Sequence, residues 1–291
     1  NVMKRLKNFI NGKFVDSTSD EVLDIVYPVT GEVIAQAPVS TDDDVNTAMH
    51  AAQDAFKTWK HTTPSDRQLL LLKLADALEE NVDVLVEAQH RNTGQPRELI
   101  RDEEVLVGAN QLRFFAGAAR TLEGKAATEY MEGHTSYVRR EPIGVVAQVT
   151  PWNYPLMMAL WKLGPALAAG NTVVLKPSDT TPESTLELAR LIGEIYPAGV
   201  VNVVLGTGKT GEAMVGHPAP AMVSITGSVR AGQAVATGAA AGLKRSHLEL
   251  GGKAPAVVFA DADLPRTARM LADFGYFNAG QDCTAVTRVL V

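Results

Sequence analysis

The sequence predicts an α/β protein in which a parallel sheet carries helices on both faces and a second α/β domain begins near the end. From Pro142 onward, near-continuous apolar runs such as IGVVAQVT and NTVVLKPS alternate with segments of helical pattern. Strands buried on both faces and joined by helices are typical of a parallel sheet. A chain of 291 residues with 46% hydrophobic and 21% charged residues can also bury a large core.

The first elements along the chain are predicted hairpins and a helix. FINGKFV places the Asn11-Gly12 pair between apolar residues, and VYPVTGEVIAQAPV does the same around Thr30-Gly31. Such pairs favour tight hairpin turns. In STDDDVNTAMHAAQDAFKTW, Ser40 or Thr41 can cap a helix whose first turn is acidic.

The next segments are predicted helices followed by a polar arm. SDRQLLLLKLADALEENVDVLVEAQHRNTG has the apolar spacing of one helix that ends at Gly94, and RDEEVLVGANQLRFFAGAARTL is also helical by pattern. The stretch GKAATEYMEGHTSYVRRE, from Gly124 to Glu141, is polar with β-branched and aromatic residues. It predicts an exposed hairpin or arm.

The second half predicts a regular alternation of strands and helices. The strands are IGVVAQVT, NTVVLKPS, GVVNVVLG, AMVSITG, HLELGG, PAVVFADA and TRVLV. The helices are PLMMALWKLGPALAAG, TPESTLELARLIGEIY, GEAMVGH, SVRAGQAVATGAAA and LPRTARMLADFGYFNAG. Open parallel sheets bind ligands at the carboxyl ends of their strands, so the strand-to-helix junctions are where functional residues are expected.

Composition excludes several classes of partner. The net charge is −6 with scattered basic residues, which argues against nucleic-acid binding. The longest apolar run is interrupted by Lys162, Gly164 and Pro165, which predicts no membrane span. The 6 His show no metal-ligand spacing, so no metal site is expected. One Cys cannot form an internal disulfide, which indicates a reducing compartment such as the cytoplasm.

The first two junctions carry polar side chains. In VTPWNYP, Asn153 offers a neutral amide donor, although an asparagine here can also simply form the turn before a helix. In LKPSD, Lys176 and Asp179 could hold the hydroxyls of a sugar. The alternative for this pair is an ordinary solvated loop.

The next two junctions are rich in glycine. In VVLGTGKTG, Gly206, Gly208 and Gly211 match G-x-G-x-x-G, but the acidic residue expected about 20 positions later is missing. GTGKT resembles the end of a nucleotide triphosphatase P-loop, but the first glycine of that motif would fall at Val203. In SITGSV, Gly227 allows a sharp turn and Ser228 begins a helix that can hold a phosphate, or is a plain N-cap.

Two further residues have the properties of a base and a nucleophile. Glu249, between two leucines in HLELGGK, is expected to have a pKa raised by desolvation, as suits a general base. Cys283, the single cysteine, has small or polar neighbours in FNAGQDCTAV. A free thiol has a pKa of about 8.5 and needs surroundings that favour the anion, so we expect them here. The setting indicates a nucleophile rather than a packing residue.

Taken in order, PWNYP, LKPSD, ITGSV, LELGGK and GQDC resemble the aldehyde dehydrogenase superfamily. The wider stretches PWNYPLMMALWKLGPALAAGNTVVLKPS and YFNAGQDCTA are similar to the γ-aminobutyraldehyde and betaine-aldehyde branch. The resemblance implies the aldehyde dehydrogenase fold, with a Rossmann-like NAD-binding domain. It also implies a small-molecule aldehyde as substrate.

The resemblance implies a role for each junction residue. Cys283 would attack the aldehyde, the Asn153 amide would hold the oxyanion, and Glu249 would activate water to hydrolyse the thioester. Asp179 would favour NAD over NADP, because an acid disfavours a 2′-phosphate. The residues expected to bind the cofactor are Thr150, Pro151, Trp152, Lys176, Ser178, Asp179, Gly208, Thr226, Gly227, Ser228 and Gly251.

The resemblance also implies a division into domains. Residues 1–123 and 143–252 would form the NAD-binding domain, 124–142 an oligomerisation arm of a homodimer or homotetramer, and 253–291 the beginning of the catalytic domain. Family members continue well beyond the catalytic cysteine, so we expect a longer chain and an inactive 291-residue stretch. Under that expectation, a dinucleotide-binding module without catalysis is the alternative function.

The substrate implied by the resemblance is an ω-amino aldehyde such as 4-aminobutanal. Its ammonium group needs a carboxylate or an aromatic face. The candidates are Tyr154 and Trp161 in the helix after Asn153, and Glu103 or Glu104 on the preceding helix. If these residues are only core packing and a solvated helix face, the enzyme is instead a general aliphatic or aromatic aldehyde dehydrogenase.

Overall fold

The computed structural model describes residues 3–291. The first two residues of the predicted NAD-binding segment lie outside this range. The strands are β1 (Asn8–Ile10), β2 (Lys13–Val15), β3 (Val22–Tyr27), β4 (Glu32–Pro38), β5 (Lys125–Met131), β6 (His134–Val138), β7 (Val145–Val149), β8 (Thr172–Lys176), β9 (Val201–Val203), β10 (Pro220–Gly227), β11 (Arg245–Leu250), β12 (Ala254–Val257) and β13 (Val286–Leu290).

The helices follow the predicted order with some changes in their bounds. They are α1 (Asp42–Trp59), α2 (Pro64–Glu80), α3 (Val82–Thr93), α4 (Arg97–Ile100), a π-helix (Arg101–Leu106), α5 (Val107–Ala119), α6 (Pro155–Ala168), α7 (Glu183–Ile195), α8 (Gly208–Gly216), α9 (Val229–Ala241), α10 (Leu264–Tyr276) and a short 3₁₀ segment (Phe277–Gly280).

A 7-stranded sheet organises the molecule in the order β11-β10-β7-β8-β9-β1-β2. The strands from β11 to β9 are parallel, which confirms the predicted fold class. The FINGKFV segment forms the predicted hairpin, and it also extends the sheet, with β1 antiparallel to β9. The chain proceeds from β7 to one side and later returns to its other side as β10. The topological switch point therefore lies between β7 and β10.

Apolar side chains on the two faces of the sheet bury separate layers of helices. On one face, Val173 and Leu175 of β8 pack into a core formed by α2, α3, α5, α6 and α7. On the other face, Val174 packs with α1, α8 and α9. Successive residues of a strand point to opposite faces, so an apolar run such as TVVL supplies both cores.

Two helical segments differ from the expectations. The predicted helix from Ser65 to Gly94 is two helices. The helical conformation is interrupted at Asn81, whose φ of −115° and ψ of 24° are not helical. Gly94 does end the second helix, with a φ of 72°. The last predicted helix ends at Tyr276, and Asn278 and Ala279 after it have positive φ values of 52° and 58°.

The segment from Gly124 to Glu141 is an exposed hairpin, as predicted. Every residue of β5 and β6 is exposed, and the two strands form a sheet of their own. Strands β12 and β13 form another two-stranded sheet, and α10 buries none of its residues. Within residues 3–291, no helix is both long and apolar enough to cross a membrane.

Candidate active site

A cavity of about 750 Å³ lies at the switch point between β7 and β10. Its walls come from the ends of β7 and β10, the LKPSD loop, and helices α8 and α9. All predicted cofactor residues except Gly251 line it, namely Thr150, Pro151, Trp152, Lys176, Ser178, Asp179, Gly208, Thr226, Gly227 and Ser228. Gly251 does not line the cavity, although its amide donates a hydrogen bond to the Gly227 carbonyl at 3.2 Å.

One end of the cavity is polar. The Lys176 ammonium is buried and donates to the carbonyls of Pro177 and Gly206. Burial lowers the pKa of Lys176 to about 8, against the opposing charge of Asp179. Thr150 Oγ1 is buried and has no hydrogen-bond partner among the described residues, so a ligand in the cavity could bond to it.

The N-terminus of α9 faces the same cavity. Ser228 is its N-cap, and the Ser228 hydroxyl accepts a hydrogen bond from the Ala231 amide at 3.1 Å. The free amides and dipole of a helix start favour an anionic group such as a phosphate. Gly227 has no positive φ, so the expected glycine turn is absent, and the serine cap determines this junction.

Sequence reasoning missed the apolar wall of the cavity. Ala231, Ala234, Val235 and Gly238 of α9 face Val215 of α8 across it. Their spacing of three and four residues places them on one side of a helix, which is the signal that could have identified them. The remaining lining residues are Val149, Gly211, Glu212, Gly216, Ile225 and Arg230.

The segment 281–283, which contains Cys283, contacts the loop that follows β7. Asn153 Nδ2 donates to the Gln281 carbonyl at 3.0 Å, and the Tyr154 hydroxyl donates to Asp282 Oδ2 at 2.6 Å. The structure thus brings Asn153 to Gln281, two residues before the predicted nucleophile, across 128 residues of sequence. Tyr154 is buried and hydrogen-bonded to this segment. It is therefore not exposed to a substrate, in contrast to the prediction.

The surroundings of Cys283 disfavour the thiolate in this structure, in contrast to the sequence-based expectation. Burial raises the pKa of the Cys283 thiol to about 11, and hydrogen bonding to Glu249 and the negative charges of Glu249 and Asp282 act in the same direction. Glu249 Oε2 is buried and has no hydrogen-bond partner among the described residues. Because Glu249 acts on the pKa of Cys283, these two side chains lie close to each other.

A second cavity, of about 600 Å³, has Glu249 in its wall. Phe114, Phe115 and Trp161 supply aromatic side chains, and Lys162 and His247 are its other titratable residues. Thr226 lines both this cavity and the one at the switch point. Of the four predicted substrate residues, only Trp161 lines it, while Tyr154, Glu103 and Glu104 do not.

Glu104 is a structural side chain rather than a surface acid. It is 0% exposed, and its oxygens accept hydrogen bonds from the Met157 amide and from Gln95 and Gln89. Burial raises its pKa to about 7. The prediction that Glu104 meets a substrate ammonium is wrong, because all of these contacts are internal. Glu103 is exposed but lies outside the cavity.

No group of three or more His, Cys, Asp or Glu side chains within residues 3–291 is arranged to hold a metal ion.

The chain matches known proteins over nearly its whole length. The model of the aldehyde dehydrogenase family matches residues 14–291. PnpE in complex with nicotinamide adenine dinucleotide is 41% identical with a TM-score of 0.94, and the match covers 98% of this chain and 58% of that one. An aldehyde dehydrogenase from Bacillus cereus, solved as an NAD⁺ complex, is 36% identical with a TM-score of 0.94, covering 98% and 59%.

Lactaldehyde dehydrogenase is 34% identical with a TM-score of 0.95, and the match covers 99% of this chain and 61% of that one. The chain thus spans between 58% and 61% of the length of these three structures. Since the family model matches nearly the whole chain and all three structures share more than 30% identity with it, the chain belongs to the aldehyde dehydrogenase family.

Proposed function

We propose that the full-length protein oxidises an aldehyde to a carboxylic acid with NAD, through a thiohemiacetal and a thioester on Cys283. The observation that carries this proposal is that Glu249 and Asn153 lie close to the segment that contains Cys283, and that a cavity lined by the predicted cofactor residues is formed in the same fold. The test is formation of NADH when the protein receives NAD and an aldehyde.

The switch-point cavity has the features that a dinucleotide needs. The wall formed by Val215, Ala234 and Val235 gives a planar base an apolar surface, and the Asp179 carboxylate can accept hydrogen bonds from ribose hydroxyls. The Ser228 end of α9 suits the pyrophosphate. When bound, NAD supplies a hydride acceptor.

The residues around Cys283 then have distinct tasks. The thiol, with a pKa of about 11, releases its proton to solvent water as its sulfur bonds to the aldehyde carbon, and the carbonyl oxygen becomes the oxyanion. The side-chain amide of Asn153 has two N–H groups. One donates a hydrogen bond to the Gln281 carbonyl, so the other can donate to the oxyanion together with the Cys283 backbone N–H. One such donor contributes about 3–4 kcal/mol to the transition state. Glu249 activates the water that hydrolyses the thioester.

Asp179 makes NAD the preferred cofactor in this proposal. Replacing Asp179 by alanine should weaken NAD binding about tenfold, because the acceptor for the ribose hydroxyls is lost, which corresponds to about 1.4 kcal/mol. The same change should bring the Kd for NADP closer to that for NAD, because a repulsive charge beside the 2′-phosphate is gone. Calorimetric titration with both cofactors measures this. Asp20→Ala, an exposed acid that lines neither cavity, is the control.

An unchanged ratio of the two Kd values in Asp179→Ala would rule out this role of the carboxylate and leave the cofactor preference to other residues.

The finer substrate proposal is a short ω-amino aldehyde such as 4-aminobutanal. Its support is the aromatic wall of the second cavity, where Trp161 is 44% exposed and Phe114 is 69% exposed. Aromatic faces attract a substrate ammonium. Glu104 is buried and Glu103 lies outside this cavity, so neither carboxylate supports binding of the ammonium. The competing proposal is a general aliphatic or aromatic aldehyde dehydrogenase.

The comparison of 4-aminobutanal with butanal distinguishes the two proposals. If the aromatic wall receives the ammonium, kcat/KM should favour 4-aminobutanal at least about tenfold, or about 1.4 kcal/mol. Trp161→Leu should reduce that ratio, because leucine keeps the apolar volume but removes the ring. Equal values for the two substrates, or a preference for butanal, would leave the general aldehyde dehydrogenase.

We further propose that the exposed hairpin β5–β6 contributes to a homodimer or homotetramer, since it has no buried residue to hold it in place. The single cysteine is a thiol in this proposal, which suits a reducing compartment such as the cytoplasm.

We propose that residues 1–291 by themselves bind NAD without turnover. The support is α10, which buries no residue and exposes Phe274, so the segment leading to Cys283 lacks packing.

A further inference from the structure

Helix α6, which follows Asn153, receives its N-terminal caps from distant parts of the chain. The first amides of a helix have no partner inside the helix. Tyr154 occupies the N-cap position and makes no side-chain cap. Instead the Leu156 amide donates to Gln89 Oε1 and the Met157 amide donates to Glu104 Oε1, both at 3.1 Å. The start of α6 is therefore held by α3 and by the π-helix.

The two capping side chains, Gln89 and Glu104, form one buried polar cluster with Gln95. Their exposures are 0%, 0% and 7%. Gln89 Nε2 donates to Gln95 Oε1 at 2.8 Å, and Gln95 Nε2 donates to Glu104 Oε2 at 3.1 Å. Burying three polar side chains is costly unless each is hydrogen-bonded, so a cluster of this kind needs a specific reason.

Glu104 lies in the π-helical turn. In the segment Arg101–Leu106, Glu103 is exposed whereas Glu104 is fully buried. The wider turn of a π-helix shifts the side-chain positions relative to a regular α-helix, and such turns are frequent at functional sites. From this turn Glu104 places a carboxylate at the start of α6, where it accepts a hydrogen bond from the Met157 amide.

The cluster also holds the backbone of Asn153. The Asn153 carbonyl accepts hydrogen bonds from Gln95 Nε2 and Asn278 Nδ2, both at 3.0 Å. Gln95 Nε2 also donates to Asn278 Oδ1 at 2.9 Å. Both lone pairs of this carbonyl are thus used, and the same amide group of Gln95 reaches the loop that leads to Cys283.

We propose that Gln89, Gln95 and Glu104 are positioning residues that orient the Asn153 peptide, and with it the carboxamide that would hold the oxyanion. This inference rests on the proposed function, because it needs an oxyanion for Asn153 to bind. An error of about 1 Å in the placement of such a donor can cost up to about 10²-fold in rate. The cluster acts through Asn153 and touches no substrate.

The test is a double-mutant cycle on the first turnover of the full-length protein. Gln95→Met keeps the length of the side chain but removes its donors to Asn153 and Asn278. At saturating NAD and aldehyde, Gln95→Met should slow the hydride burst about tenfold. In an Asn153→Ala background the same change should slow it less than about twofold, because the carboxamide that Gln95 orients is already gone. Stopped-flow measurement of NADH gives both rate constants.

Asn92→Ala is the control, since Asn92 is a buried residue of α3, the helix that also carries Gln89. Its Oδ1 accepts from the Glu183 amide at 3.0 Å, so it caps α7 as the cluster caps α6. The control should leave the burst rate unchanged in both backgrounds. If Gln95→Met does not fold, Glu104→Gln, which preserves shape, takes its place in the cycle, with the same expected pattern.

An equal slowing by Gln95→Met in both backgrounds would overturn the positioning role, as would an unchanged burst rate. Either outcome leaves the proposed function intact. Failure of the proposed function has a different signature: an unsubstituted protein that gives no aldehyde-dependent burst, or an Asn153→Ala protein as fast as the unsubstituted one.

Discussion

Replacing Cys283 by alanine in the full-length protein should abolish aldehyde-dependent NADH formation. Without the sulfur neither the thiohemiacetal nor the thioester can form, and the loss of a catalytic nucleophile typically costs about 10⁴-fold or more in kcat. Steady-state NADH formation measures the loss, with turnover expected at the background of the assay.

Cofactor binding provides the control for this substitution. Cys283 does not line the switch-point cavity, so the Kd for NAD of Cys283→Ala should equal that of the unsubstituted protein. This result would show that the cavity is intact when activity is lost. A Cys283→Ala protein that keeps a substantial part of its turnover would rule out Cys283 as the nucleophile.

Glu249→Gln should keep the burst and lose the steady state. Glutamine cannot accept a proton from water, so thioester hydrolysis should slow by about 10²–10⁴-fold, the usual contribution of a general base. One NADH per active site should still form in the first turnover, because hydride transfer precedes hydrolysis. Stopped-flow measurement gives the burst amplitude, and the later slope gives the turnover. Loss of the amplitude, or an unaffected slope, would contradict the role of Glu249.

The same substitution should change the titration of Cys283. The Glu249 carboxylate raises the pKa of the thiol through a hydrogen bond and its negative charge, so removing it should lower that pKa from about 11. At pH 8 a larger fraction of Cys283 is then thiolate, and alkylation by iodoacetamide should be faster than in the unsubstituted protein. Glu194→Gln, on the exposed end of α7, should change neither the alkylation rate nor the turnover.

The order of strands and helices was predictable from local pattern. Runs such as NTVVLKPS and GVVNVVLG alternate with helical segments, and that alternation implies a parallel sheet. Because parallel strands end at one edge of the sheet, residues that follow different strands, such as Asp179 and Ser228, were expected to meet, and they line one cavity.

Long-range contacts decided the properties of individual side chains. Glu103 and Glu104 are adjacent acids of similar pattern, yet only Glu104 is buried, where it contacts the start of α6, Gln89 and Gln95. Its partners are up to 53 residues away in sequence, so no local pattern contains them.

By itself, the sequence determined the kind of fold and the set of residues that gather at the strand ends, because hydrophobic periodicity and strand direction are local properties. Only the tertiary structure decided the burial and charge state of those residues. Cys283 was expected in surroundings that favour the thiolate, but burial and the nearby carboxylates of Glu249 and Asp282 raise its pKa. A pKa depends on desolvation and on charges brought close by the fold, and these distances are absent from the linear chain.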